Sequence, residues 1–301
     1  MPTTTADLLT KVRRRSGLPP SGSWTDADLF DFATSELRRK LAPWLSNLRE
    51  EYGVIHKDDV VNPNEQLVRI APFALADGPR DVRWYQTDGR FYRLSRISLE
   101  QEVPYSSPWT TANYPVVYTV EGDYLRLLPV TQTQGTLRQL YVRRPPMLVA
   151  TSACARVISL TSPSTITVAA TIPTTFTVGT KVDIVRGTSP YDALAIGVTL
   201  AAGTTGATVV LSTPYPSTLS AGDYVCLTGE ACVAPLTDEL CEALVTATCA
   251  AAWEALSNEN QSARFRGILE ADLQQLTLSH TPRVQGSLVP ILGARSLWGT
   301  W

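Results

Sequence analysis

Residues 25–52 most constrain the fold, because their pattern predicts one long amphipathic helix. Apolar side chains recur there every three or four residues, which is the period of a single buried helix face. These are Phe30, Ala33, Leu37, Leu41, Trp44, Leu48 and Tyr52. The opposite face carries Glu36, Arg38, Arg39, Lys40 and Arg49. Nothing on this helix suggests chemistry, so we interpret it as scaffold.

The start of this helix has a strong sequence signal. Thr25 is positioned to accept a hydrogen bond from the backbone three residues on, and Asp26 and Asp28 lie at the positive end of the helix dipole. Pro43 falls inside the same helix. Because its ring opposes the carbonyl four residues earlier, we expect a kink there or a division into two helices.

Three further helices follow from the same kind of pattern. A short first helix is predicted over residues 6–15, capped by Thr4 or Thr5. A third, over 237–256, is rich in alanine, and small side chains allow close packing against the 25–52 helix or a neighbouring subunit. A fourth is predicted over 261–276.

Between residues 67 and 148 the apolar period changes to two, which indicates β-strands. The clearest signal is a hairpin, with strands at 114–120 and 124–128 joined by a turn at 121–123. We therefore predict a meander of antiparallel strands in this part of the chain.

Residues 153–235 contain few charges and several short β-branched runs at regular spacing. Such runs predict a small β-barrel or sandwich, which we interpret as an insertion because helical signal resumes after it. The predicted fold class is α+β, with a helical bundle as its core, a β-meander, this inserted domain and an extended C-terminal tail. The predicted units are 1–150, 151–235, 236–280 and 281–301.

Composition and motifs argue against several function classes. The net charge of −2 and the pI of about 5.8 give no overall attraction to nucleic acid or membranes. We find no signal peptide, no membrane span and no motif of nucleophile elbows, zincins or phosphate loops. We predict a protein made in a cytosol that is not an enzyme and needs no cofactor.

The cysteines and histidines do not suggest a metal site. There are five cysteines, none in a Cys-x-x-Cys pair, and neither histidine lies near one in sequence. They are Cys154, Cys226, Cys232, Cys241 and Cys249. We expect reduced structural thiols and no bound metal.

Other candidate residues have ordinary structural explanations. His56 and His280 are expected in loops, as is the acidic pair Asp58-Asp59, which we expect to face water. A run of three arginines, 13–15, ends the first helix. We interpret these side chains as solvated charges that stabilise the helix dipole, in preference to a phosphate-binding site. Aromatic and arginine side chains alternate on the strands within 84–93, namely Trp84, Tyr85, Tyr92 and Arg93. We interpret them as core residues and cross-strand pairs, in preference to a binding site for sugars or bases.

The C-terminal segment, residues 281–301, is too apolar for a solvated spacer. Two interpretations remain open. The segment either packs back on its own domain, or extends to another subunit or protein and buries Leu297, Trp298 and Trp301 there.

The order of several short segments resembles the head-to-tail adaptor (connector) proteins of tailed bacteriophages. These segments are Ala6-Asp7-Leu8-Leu9, 13–18, 25–29, Glu36-Leu37, 48–52, 81–83 and 97–100. The resemblance covers residues 5–148 and, more loosely, the helices within 237–276. It consists of helix caps and core residues. Residues 153–235 depart from the small helical adaptors.

The resemblance implies a structural protein at the virion neck, assembled in the host cytoplasm. It implies a ring of about twelve copies under the portal protein that extends the DNA channel, joins head to tail and serves DNA ejection. It also implies contact with a tail or nozzle protein, with tail fibres, and with passing double-stranded DNA without sequence specificity. A membrane partner is not expected.

Two sets of residues carry the expected contacts. Arg38, Arg39 and Lys40 are candidates for subunit or DNA-channel contacts. In the family, C-terminal segments commonly reach the portal, which suits the tail. The candidate portal-binding residues are Arg283, Leu288, Ile291, Leu292, Leu297, Trp298 and Trp301.

A different class of function is the main alternative. The β-domain could be a carbohydrate- or receptor-binding virion module that uses exposed aromatics such as Tyr191, Tyr215 and Tyr224. A hydrolase with an unrecognised site is a third hypothesis, and it would require a deep pocket lined by convergent titratable groups.

Overall fold

A computed structural model covers the chain. The residues that it describes are 3–17, 24–48, 53–75, 78–102, 105, 111–188 and 192–280. The candidate portal-binding residues of the tail, and Tyr191, lie outside this set.

The first two helices begin next to the capping residues that the sequence predicts. α1 (Thr5–Ser16) starts with a capping box between Thr4 and Asp7, and α2 (Asp26–Glu36) with one between Thr25 and Asp28. The Thr25 hydroxyl accepts from the Asp28 N–H over 3.2 Å, and the Asp28 carboxylate accepts from the Thr25 N–H over 2.8 Å. These bonds satisfy backbone donors that the first helical turn leaves without partners.

The irregularity predicted near Pro43 is one turn of π-helix. Residues Leu37–Leu41 form this turn, and α3 (Ala42–Leu48) continues from it. The Ala42 N–H donates to the Leu37 carbonyl, five residues earlier. The wider turn comes directly before Pro43. In a regular α-helix the proline ring would clash with the carbonyl four residues earlier.

The helices share one apolar cluster centred on α4 (Asp238–Ala255), which packs against α1, α2 and α5 (Glu259–His280). Leu244, Ala247 and Ala250 of α4 are fully buried. Helix α4 therefore packs against α2, as its small side chains predict.

Seventeen strands are present in the described part of the chain. β1 to β10 are Val54–Val61, Leu67–Arg69, Asp81–Gln86, Phe91–Arg96, Thr111–Ala112, Val117–Glu121, Tyr124–Leu128, Val130–Thr131, Gly135–Val142 and Met147–Leu148. β11 to β17 are Ala155–Ser162, Thr165–Val168, Lys181–Val185, Ala193–Thr199, Thr208–Val210, Tyr224–Leu227 and Glu230–Ala231.

A seven-stranded sheet has the order β1-β9-β3-β4-β6-β7-β2. The predicted hairpin is confirmed, since β6 and β7 pair with Glu121 opposite Tyr124. The predicted antiparallel meander is wrong, because β9 lies between β1 and β3 and because β4 and β6 run parallel. Trp84 and Leu137 are among the fully buried residues on its inner face.

A six-stranded sheet has the order β14-β13-β16-β11-β12-β15. Its two edge strands meet through an antiparallel bridge between Leu200 and Leu211, so that it forms a nearly closed barrel. Alternate residues fill the interior, among them Ile166, Ile184 and Val225. Strand β14 was not predicted, because its run Ala-Leu-Ala-Ile-Gly-Val-Thr contains two alanines and a glycine, which are depleted in strands.

The barrel is tied to the rest of the chain at several points. Strand β10, before the barrel, pairs in parallel with β17, after it. The N–H of Thr5, at the start of α1, donates to the Cys232 carbonyl over 2.9 Å. Arg143, next to the end of β9, pairs with the buried carboxylate of Asp183 on β13.

The predicted α+β fold class with a helical-bundle core is wrong. Strand accounts for 34% of the chain and helix for 31%, and the helices fill only one of several separate apolar clusters. The prediction gave the helices too much weight because caps and helical periodicity are local signals. The long pairing of β1 with β9 joins residues such as Asp58 and Arg138, which are distant in sequence.

Candidate functional site

The basic residues predicted for subunit or DNA contact have different environments. The Arg38 guanidinium donates to the Pro145 carbonyl over 3.1 Å, and the Lys40 ammonium lies 2.6 Å from the Glu36 carboxylate. Arg39 is the exposed member of the three. Desolvation, together with the nearby charge of Arg144, lowers the pKa of Arg38. Arg39 therefore has the freest access to another molecule.

The predicted acidic pair lies on strand β1 and not in a loop. Asp58 accepts two hydrogen bonds of 2.7 Å from Arg138, and the Asp59 carboxylate lies 2.7 Å from the Lys57 ammonium. The Arg138 hydrogen bonds hold the pKa of Asp58 below its usual value. Both carboxylates thus have cationic partners. His56 is exposed on the same strand.

A group of arginine and aromatic side chains lies on the outer face of the seven-stranded sheet. We call it the arginine–aromatic ladder, and it consists of Arg83, Tyr85, Phe91, Arg93 and Arg138. The Tyr85 and Phe91 rings are stacked with centroids 5.6 Å apart. The Arg138 guanidinium lies 4.7 Å from the Tyr85 centroid, and that of Arg83 lies 5.9 Å from the Phe91 centroid.

Strand register explains this arrangement. Tyr85 pairs with Phe91 across β3 and β4, and Arg83 with Arg138 across β3 and β9. Since side chains alternate between faces, the intervening Trp84 points to the core and is fully buried. The sequence analysis predicted that these residues form cross-strand pairs on one face and core on the other, and this is confirmed for β3 and β4.

Two aspartates compensate the arginines of the ladder. Asp81 accepts from Arg83 over 2.8 Å and from Arg93 over 2.7 Å. The hydrogen bond with Asp81 raises the pKa of Arg83, and the bonds with Asp58 raise that of Arg138. Without these carboxylates, the directly opposed Arg83 and Arg138 would repel.

The cysteines form a cluster that the sequence analysis did not predict. The Sγ atoms of Cys154, Cys226 and Cys232 all lie within 4.8 Å of one another, and those of Cys226 and Cys232 are 4.0 Å apart. All three residues are buried. Their walls are apolar, with Val149, Val185, Val233 and Tyr224 packed around them.

The thiols of this cluster influence one another. Hydrogen bonds from Cys154 and Cys226 lower the pKa of Cys232. Desolvation, followed by the hydrogen bonds with its two neighbours, raises the pKa of Cys226. Proton loss from any one of these thiols therefore depends on the other two.

No short motif could have revealed this cluster. Cys154 precedes β11, Cys226 lies on β16, and Cys232 follows β17, so the long-range pairing of β11 with β16 is needed to bring them together. The prediction for the other two cysteines is confirmed, because Cys241 and Cys249 are fully buried on α4. Burial raises their pKa values to about 11 and about 12.

The remaining hypotheses gain little from the geometry. Tyr215 and Tyr224 are half-buried and pack against interior clusters, so they do not form the exposed aromatic group that a carbohydrate site requires. A cleft of about 900 Å³ between β1 and β14 contains Lys57 and Asp192. Lys57 is paired with Asp59, and the Asp192 carboxylate lies 3.8 Å from Arg186. These groups do not form a mutual acid–base pair.

Comparison with known proteins gives no assignment, since no protein-family model matches the chain and no curated protein matches it significantly. Among the described helices, none combines the length and the apolar character needed to cross a membrane.

Proposed function

We propose that this protein is a non-enzymatic head-to-tail adaptor of a tailed bacteriophage, which forms a ring below the portal at the virion neck. The resemblance of its N-terminal segments to that family supports the proposal. So does the arginine–aromatic ladder, which is the observation that carries it.

The ladder has the composition of a protein–protein contact surface. Aromatic residues and arginine are enriched at the centres of such interfaces and often supply most of the binding energy. Its residues are pre-positioned by strand pairing and ring stacking, so little side-chain entropy remains to be lost on association. The ladder is a subunit contact in this proposal.

Its charge balance suits contact with a second copy. The three arginines of the ladder are partnered by Asp58 and Asp81, which lowers the cost of burying these charges against a neighbouring subunit. In a closed ring each subunit presents two different surfaces to its neighbours. Arg39 is the candidate for contact with a neighbour or with DNA, and the tail for contact with the portal.

Electron microscopy and light scattering of the full-length protein, alone and mixed with the portal protein encoded with it, test this function. We expect closed rings of about twelve copies that attach to the portal. Deletion of residues 287–301 should leave the ring intact and abolish attachment. A protein that stays monomeric in the presence of the portal would contradict the proposal.

A paired substitution tests the role of the ladder. Tyr85→Ser with Phe91→Ser should lower the fraction of protein in rings at least ~10-fold at fixed concentration, because interface anchors commonly contribute 2 kcal/mol or more. Val178→Ser is the matched control, since Val178 on the barrel is 63% exposed and Phe91 58%. Equal ring fractions for both variants would exclude the ladder as a subunit contact.

A further inference from the structure

The three-cysteine cluster has the dimensions of a metal site. A thiolate–metal bond of ~2.3 Å places the sulfurs of a trigonal plane ~4.0 Å from one another. The Sγ atoms of Cys226 and Cys232 are 4.0 Å apart, and the third sulfur lies within 4.8 Å of both. Small side-chain rotations would complete the triangle.

The donor set favours a particular class of ion. All three donors are sulfur, and soft thiolates select soft ions such as Cu(I) over oxygen-seeking ions such as Mg²⁺ or Ca²⁺. Structural zinc sites use four ligands, and in the described part of the chain no fourth Cys, His, Asp or Glu joins this group. Val149, Val185, Val233 and Tyr224, which pack around the three thiols, supply no further sulfur ligand.

We propose that Cys154, Cys226 and Cys232 bind one soft, thiophilic metal ion of the Cu(I) class in trigonal thiolate coordination. On binding, the metal replaces the thiol protons, which leave to solvent, and no electron is transferred.

The location gives the ion a structural role. Cys154 directly precedes β11, the first barrel strand, and Cys226 lies on β16, the last one, while Cys232 follows β17, just after the barrel. The Cys232 carbonyl also accepts from the backbone of Thr5 at the start of α1. One bound ion would therefore fasten both ends of the barrel to each other beside the helices.

Anaerobic titration of the reduced, full-length protein with chelator-buffered Cu(I) tests the site. We expect one equivalent of Cu(I) per chain and an X-ray absorption spectrum with three sulfur neighbours at ~2.3 Å. Two sulfur neighbours, or no binding, would overturn the proposal. Binding of Zn²⁺ with four protein ligands would overturn it as well.

Two variants and a matched control locate the site. Cys232→Ser should weaken Cu(I) binding by at least 10-fold, on the order of what disturbing a metal-ligand environment costs. Cys249→Ser removes a buried thiol from α4, outside the cluster, and should bind like the unaltered protein. If Cys232→Ser fails to fold, as judged by circular dichroism, Cys154→Ala takes its place. Wild-type affinity in a folded ligand variant would refute the assignment.

Counting free thiols distinguishes the metal site from a disulfide between two of the cysteines. The unaltered protein, purified under reducing conditions, should present five free thiols after denaturation, in line with five cysteines in the sequence. A Cys226–Cys232 disulfide in that preparation would show that the short sulfur separation serves a crosslink and would overturn the proposal.

Discussion

Arg143 and Asp183 form a buried ion pair that connects two parts of this molecule. The Asp183 carboxylate is fully buried and accepts hydrogen bonds from Arg143, from the Gly197 N–H over 2.8 Å and from the Gly229 N–H over 3.1 Å. A buried carboxylate is tolerated only with such partners. The pair joins the seven-stranded sheet to the barrel.

Replacing Arg143 should therefore destabilise the protein strongly. Arg143→Met leaves the Asp183 charge buried without its cation, and we expect a loss of ~3–5 kcal/mol in the free energy of unfolding. Urea denaturation followed by circular dichroism measures this loss.

Arg186→Met is the matched control, because Arg186 pairs with Asp192 at 3.8 Å in a more exposed position. That substitution should change the free energy of unfolding by less than about 1 kcal/mol. Comparable losses in the two variants would show that burial does not distinguish the pairs.

At the scale of elements, the start of α2 depends on two side chains. The hydrogen bonds from the Thr25 hydroxyl and backbone N–H lower the pKa of Asp28 from its usual 3.8. A carboxyl with a lowered folded-state pKa stabilises the protein above the unfolded-state value. That contribution is lost as the pH falls from about 3.8 through the folded-state pKa.

Removing the cap should weaken the helix. Thr25→Ala should lower the free energy of unfolding by ~1 kcal/mol at neutral pH. Thr237→Ala is the control, because Thr237 stands at the N-cap of α4 without a side-chain capping bond, so that its loss should cost less. Asp28→Asn should flatten the pH dependence of unfolding below about pH 3.8. An unchanged pH dependence in Asp28→Asn would show that the Asp28 carboxylate does not contribute to stability through the cap.

At the scale of the whole molecule, the helices, the sheet and the barrel are coupled. Strand β10, before the barrel in sequence, pairs with β17, after it. The Thr5 N–H donates to the Cys232 carbonyl, and Arg143 pairs with Asp183. These contacts connect parts of the chain that have separate apolar clusters.

We therefore expect the unaltered protein to unfold in a single cooperative transition. Tryptophan fluorescence reports on Trp84 in the sheet and on Trp24 and Trp253 beside the helical cluster, whereas far-ultraviolet circular dichroism also follows the barrel. The two thermal curves should coincide. In Arg143→Met they should separate, as the barrel loses its link to the sheet. Separate transitions in the unaltered protein would contradict this coupling.

The sequence by itself determined the local features. The cap at Thr25, the hairpin turn at Glu121 and the burial of Cys249 depend on residues a few positions apart, whose bonding and periodicity do not need the rest of the fold. Only the tertiary structure decided the position of β9 between β1 and β3, the closing of the barrel and the meeting of three cysteines. These depend on pairing strands far apart in sequence, where burial of a shared core outweighs the entropy of closing long loops.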